Sequence, residues 1–150
     1  MNSRPTLMIV CGLPGAGKTT LATELERRHN AVRLSTDEWM HTLGIDLRDE
    51  QARAKIEAVQ WTVARQLLAR GIPVIVEWGT WSRSERDMLR TGAREIGAAV
   101  ELHYVSAPVD VLFDRVRRRA MENPPITRDQ LVNWFAAFEP PNADELALYD

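Results

Sequence analysis

Gly12-Leu13-Pro14-Gly15-Ala16-Gly17-Lys18-Thr19 has the spacing G-x-x-x-x-G-K-[ST], a pattern suited to holding a triphosphate. Glycines at these positions let the backbone curl with its N–H groups turned inward around phosphate oxygens. A helix beginning near Lys18 presents the positive end of its dipole to the same anion. The Lys18 ammonium is expected to reach the β- and γ-phosphates. Thr19 offers a hydroxyl to Mg²⁺, a hard cation that takes oxygen ligands. With Thr20 completing the loop, the expected occupants are ATP and Mg²⁺.

Two carboxylates complement this loop. Asp37 follows the short apolar run Ala31-Val32-Arg33-Leu34, where it would face the γ-phosphate from the acceptor side and take a proton from an acceptor hydroxyl. The other reading of Asp37 is a helix cap, a role that Ser35 or Thr36 would fill equally well; Glu38 competes for the role of base. Glu77 ends the apolar run Val74-Ile75-Val76. That is the place of an acid that holds Mg²⁺ directly or through water, although a salt bridge to an arginine of the following helix would also account for it. Arg115 and Arg119 are four residues apart on one helical face, so both could reach across the triphosphate and offset charge on the transferring group. Trp78 and Trp81 are candidates for core packing or for walls of an acceptor pocket.

These residues need a frame. Thr6–Cys11 and residues 72–76 read as buried strands, because apolar residues follow one another without polar alternation, and residues 31–34 and 99–105 read as further strands. Between them lie helical patterns: Leu21, Ala22 and Leu25 after Lys18; a helix starting near Trp39; and a longer one from Glu50 with Ala52, Ile56, Val59, Val63 and Leu67 on its apolar face. Further helices run from Arg83 to Ile96 and from Pro108 to Ala120, the latter with Val109, Leu112, Phe113 and Val116 as its stripe. A last helix opens at Thr127 with Leu131, Trp134, Phe135 and Phe138. Alternating strands and helices predict a doubly wound parallel sheet with helices on both faces. Ligands of such sheets bind beyond the carboxyl ends of the strands, where residues 12–19, Asp37, Glu77 and Ser106 are expected to converge.

At 150 residues, one domain over 1–150 is the simplest division, large enough for a core without disulfide or metal support. Cys11 is the only cysteine and reads as a small buried hydrophobe. No run is long and apolar enough for a membrane span, and Met1–Pro5 is too short and polar for a signal peptide, so a cytoplasmic protein without a membrane partner is expected. A formal net charge of −2 disfavours non-specific coating of nucleic acid. Of the nineteen basic residues only Lys18 and Lys55 are lysines, so Lys18 is not one of many interchangeable ammonium groups.

The chain resembles the P-loop kinases, in the AAA-type branch that contains polynucleotide 5′-hydroxyl kinases, chloramphenicol phosphotransferase and zeta-toxin-like kinases. The likeness runs from about Leu7 to Phe138 and is carried by residues 12–20, by Leu34-Ser35-Thr36-Asp37-Glu38 and by Asp114-Arg115-Val116-Arg117-Arg118-Arg119. It implies a three-layer α/β/α P-loop NTPase fold with a short helical lid over about 115–127. It also implies Asp37 as the residue that activates the acceptor hydroxyl and Arg115 and Arg119 as lid arginines, which with Lys18 make up the expected catalytic set beside the metal candidates Thr19 and Glu77. Where polynucleotide kinases of this type usually carry an aspartate and a small polar residue after the third strand, this chain has Glu77-Trp78-Gly79-Thr80-Trp81. The family's acceptor-side arginines would correspond to Arg83 or Arg86. The expected activity is ATP-dependent transfer to an alcohol group of a small-molecule acceptor. A polynucleotide 5′-hydroxyl kinase and a nucleotide-dependent switch ATPase are the alternatives, and nothing in the sequence points to a protein partner.

Overall fold

Burial on both sides explains why the runs 7–11 and 74–76 lack polar alternation, whereas 32–35 and 99–104, at the sheet edges, carry Arg33, Glu101 and His103. In the computed structural model, which describes residues 4–150, four parallel strands lie in the order β2-β3-β1-β4. They are β1 (Thr6–Cys11), β2 (Val32–Ser35), β3 (Val74–Glu77) and β4 (Ala99–Tyr104). Ile9 pairs with Val76 and Leu102, and Ser35 pairs with Glu77. The register therefore brings the carboxyl ends of β1, β2 and β3 level with one another.

Residues along β1 alternate between two cores. Leu7 and Ile9 join Leu34, Val74, Val76, Ala64, Leu68, Leu89 and Ala93 on one face, which is covered by α3 (Glu50–Ala69) and α4 (Arg83–Glu95). Met8 and Val10 join Ile75, Ala22 and Leu25 on the other, under α1 (Lys18–His29). The sheet is thus sandwiched between helical layers, as expected of a P-loop fold. A third apolar cluster beyond β1 gathers Cys11, Leu13, Ala16, Leu112, Val116, Ile126, Leu131 and Phe138. It packs α5 (Val109–Arg119) and α6 (Arg128–Ala137) against the loop after β1.

Several boundaries differ from the sequence reading. Helix α2 (Thr36–Thr42) begins at Thr36 and not near Trp39, because Ser35 Oγ accepts from Glu38 N at 3.2 Å and caps it. On α3, Val59 is 56 % exposed, and Gln60 faces the core in its place. Its amide donates to Ser35 O at 3.1 Å and accepts from Trp78 Nε1 at 2.7 Å. A hydrogen-bonded amide is accommodated there at little cost, so the buried face is turned from the purely apolar one. Helix α7 (Ala143–Leu146) was not foreseen; its Leu146 is exposed and its Glu145 is 1 % exposed.

Candidate active site at the carboxyl ends of the strands

The loop between β1 and α1 is shaped by close packing at Gly15. With φ of 84°, a Cβ there would lie 2.7 Å from the Leu112 carbonyl oxygen, so only glycine fits the conformation and the space. At the end of the loop Lys18 Nζ donates to Gly12 O at 2.9 Å. Burial pushes the Lys18 ammonium below its ordinary value, while the charges of Asp37 and Glu77 pull the other way.

Thr19 Oγ1 donates to Glu77 Oε2 at 2.7 Å. The other Glu77 oxygen accepts from Arg33 Nη1 at 2.7 Å, and Arg33 also pairs with Glu38. Glu77 therefore does pair with an arginine, but one from the neighbouring strand β2 and not from the following helix. A hydroxyl and a carboxylate oxygen side by side suit a hard cation. Among the described residues no group of three acidic, His or Cys side chains gathers to hold a metal.

Beside this corner opens a cavity of about 320 Å³. Pro14, Lys18, Asp37 and Arg119 meet on its wall, with Arg53 and Glu57 from α3, Trp81, Glu85, Glu122 and Trp134. Asp37 Oδ1 is 2.9 Å from Arg53 Nη2, which also donates to Leu47 O at 2.5 Å. Burial raises the Asp37 carboxyl, but the charges of Lys18 and Arg53 outweigh it and hold the group below the ordinary carboxylate value. The carboxylate form of Asp37 is thus favoured on the wall it shares with Lys18, and Ser35 performs the capping.

Residues 7–141 match the family described as AAA domain, AAA_33. The chain belongs to this family of P-loop kinase domains. It is 26 % identical over 147 residues to the probable adenylyl-sulfate kinase of Aeropyrum pernix, covering 91 % of this chain and 79 % of that protein. It is 34 % identical over 122 residues to the adenylyl-sulfate kinase of Shewanella sp. strain ANA-3, covering 74 % of this chain. The chain spans 56 % of that Shewanella protein's length. A solved chain of the Pnkp1/Rnl/Hen1 RNA repair complex superposes with a TM-score of 0.74 at 24 % identity, over 91 % of this chain and 45 % of the other. That likeness describes the fold.

Not every expected residue of the P-loop kinase domain reaches the cavity. Arg115 Nη1 donates to Gly15 O at 3.0 Å and does not line the cavity, whereas Arg119 lies on the cavity wall and pairs with Glu122 at 3.2 Å. Within the segment expected as a lid, Ile126 and Glu122 are buried. Ser106 lines a separate small apolar pocket with Leu13 and Ala16. Of the two tryptophans, Trp78 is core and Trp81 lines the cavity, 6.0 Å from Trp134 between ring centroids. Arg86 is fully buried and bound to Glu145, Thr80 O and Glu139 O, so it holds structure together instead of reaching the acceptor side. Arg83 stays on the surface of α4 near Asp87. Arg53, Glu57 and Glu85 were not foreseen. The signal was the polar face of α3, on which Arg53 and Glu57 stand one turn apart.

Proposed function

We propose that the protein is an ATP- and Mg²⁺-dependent kinase that transfers the γ-phosphoryl group to a hydroxyl of a small-molecule acceptor. The observation that carries this reading is the meeting of Lys18 and ionised Asp37 on the wall of one cavity. The loop amides and Lys18 bind the phosphates and lower the cost of charge on them. Asp37 accepts the acceptor's hydroxyl proton as its oxygen bonds to the γ-phosphorus; the bond from that phosphorus to the β–γ bridging oxygen breaks, and ADP leaves with the electron pair. Thr19 and Glu77 are the oxygens that would hold Mg²⁺, which when bound neutralises phosphate charge. Arg119, freed from Glu122, offers its guanidinium to the transferring group, and Arg115 steadies the loop through Gly15.

A cavity of about 320 Å³ suits a small molecule, and relatives named adenylyl-sulfate kinases support a small acceptor. A polynucleotide 5′-hydroxyl kinase would want an unbroken basic groove leading to Asp37. Here each arginine on the wall has a carboxylate partner, which favours the small molecule. The test is transfer of γ-label from ATP to a panel of sugars, nucleosides, adenylyl sulfate and 5′-hydroxyl oligonucleotides. Label on a small molecule is the expected result, and label on the oligonucleotide alone would replace this reading with its rival.

A further inference from the structure

Three non-glycine residues among those described hold a positive φ: Asn30 at 50°, Ala120 at 50° and Thr80 at 43°. Asn30 and Ala120 cap the carboxyl ends of α1 and α5, where a left-handed residue closes the last turn. Thr80 ends no helix. It lies after β3 in the connection on the cavity wall and is β-branched, which makes this backbone conformation a costly one. Its side chain offers no compensation: Oγ1 is buried and finds no hydrogen-bond partner among the described residues beyond the weakly bonding Cys11 thiol. Two unfavourable features thus coincide at one residue of the wall.

A strained residue persists only where its surroundings fix it, and here two anchors do so. Arg86 Nη1 donates to Thr80 O at 2.8 Å, and Arg86 is itself fully buried and bound to Glu145 at 2.6 Å. The next carbonyl, Trp81 O, accepts from Glu139 N at 2.8 Å. Held in this way, the chain folds back on itself: a Cβ at Gly79 would lie 2.8 Å from Trp81 Nε1, so the indole rests against the Gly79 backbone. The turn sets the Trp81 ring on the wall of the cavity that also carries Lys18 and Asp37, 6.0 Å from Trp134 and 6.5 Å from Phe138 between centroids. Glycine would adopt the φ of Thr80 without strain but would leave the connection freer to open, whereas a β-branched residue leaves it fewer alternatives. We infer that Thr80 is a positioning residue for the acceptor: its left-handed backbone, held by Arg86, presents the Trp81 indole as the surface on which the acceptor packs. The inference rests on the kinase reading above and adds no chemical step to it.

The test uses wild type, Thr80→Gly, Gly79→Ala, Trp81→Leu and the double variant Thr80→Gly/Trp81→Leu, assayed with Mg²⁺, γ-labelled ATP and whichever compound of the panel above takes label best. Thr80→Gly is expected to raise the acceptor KM at least about fivefold with kcat within about twofold of wild type, the pattern of weakened acceptor binding. Gly79→Ala pushes the indole from its seat without touching Thr80, and should raise the same KM. ADP affinity in calorimetry should stay at the wild-type value throughout, which a general loss of structure would not allow. Because Thr80 acts through Trp81, the double variant should be no worse than Trp81→Leu alone. An acceptor KM unchanged in Thr80→Gly, or losses that add in the double variant, overturns the inference and leaves the kinase reading standing. ADP affinity that weakens along with the acceptor KM makes Thr80 a support of the fold and overturns the inference as well. Label on no compound overturns the kinase reading, and the inference with it.

Discussion

The role proposed for Asp37 as a base requires a carboxylate, and each neighbour that favours that form is a separate handle. Lys18 and Arg53 hold its carboxyl low against the opposing effect of burial. Its charge is therefore present above the ordinary aspartate value and persists as pH falls until the depressed folded value is crossed, where any stability it contributes is lost. Removing Arg53 raises that value, so Arg53→Met should move the acid limb of the kcat/KM profile to higher pH, as a pH series on both proteins will show. Arg33 acts on the other corner. By occupying one Glu77 oxygen it leaves the second facing Thr19, so Arg33→Met should raise the Mg²⁺ concentration needed for half-maximal transfer. Mn²⁺ binding with ADP, followed by electron paramagnetic resonance, should weaken in parallel, while Arg33→Lys recovers part of it. Unchanged Mn²⁺ affinity in Arg33→Met would show that Glu77 needs no such support.

At the scale of elements, the strand, glycine-rich loop and helix of β1 and α1 were legible in the sequence, because their glycine spacing and apolar runs are local. The placement of Asp37 just past the second strand was legible for the same reason, as was Ser35 as a possible cap, but the helix was expected to start near Trp39 and in fact takes Asp37 into its first turn. The face of α3 was not legible. Val59 fits an apolar stripe, but the buried position belongs to Gln60, whose amide joins Ser35 O to Trp78 Nε1 across eighteen to twenty-five residues of sequence. Gln60→Leu should cost about 1–3 kcal/mol for each buried partner left without its hydrogen bond, measurable as a lower midpoint in chemical denaturation. The loop is equally sensitive. Gly15→Ala places a methyl group 2.7 Å from a backbone oxygen in a left-handed conformation, and should both lower the melting temperature and weaken ADP binding in calorimetry. A variant with wild-type values for both would contradict the close packing of α5 on the loop.

Across the whole molecule, the wall of the cavity depends on contacts far apart in the chain. Arg86 on α4 and Glu145 on α7 meet at 2.6 Å with almost no solvent exposure, and Arg86 also donates to Thr80 O and Glu139 O. This pair ties the connection bearing Trp81 to the last helix, a link between residues 59 apart that no local pattern announces. Arg86→Met leaves the Glu145 charge buried and unpaired and should destabilise the fold by about 3–5 kcal/mol, with Arg86→Met/Glu145→Leu recovering part of the loss in thermal melts. The family assignment and the arrangement of strands support phosphoryl transfer, and the cavity supports a small acceptor. The most direct test of that central claim is a single comparison of wild type with Asp37→Asn: γ-label appearing on a hydroxyl acceptor, with ADP affinity measured in the same preparations. Loss of transfer by about a hundredfold or more with ADP affinity preserved is the predicted result. Equal transfer by both proteins, or label released only as free phosphate at the same rate in both, would contradict the role of Asp37 as the base of a kinase.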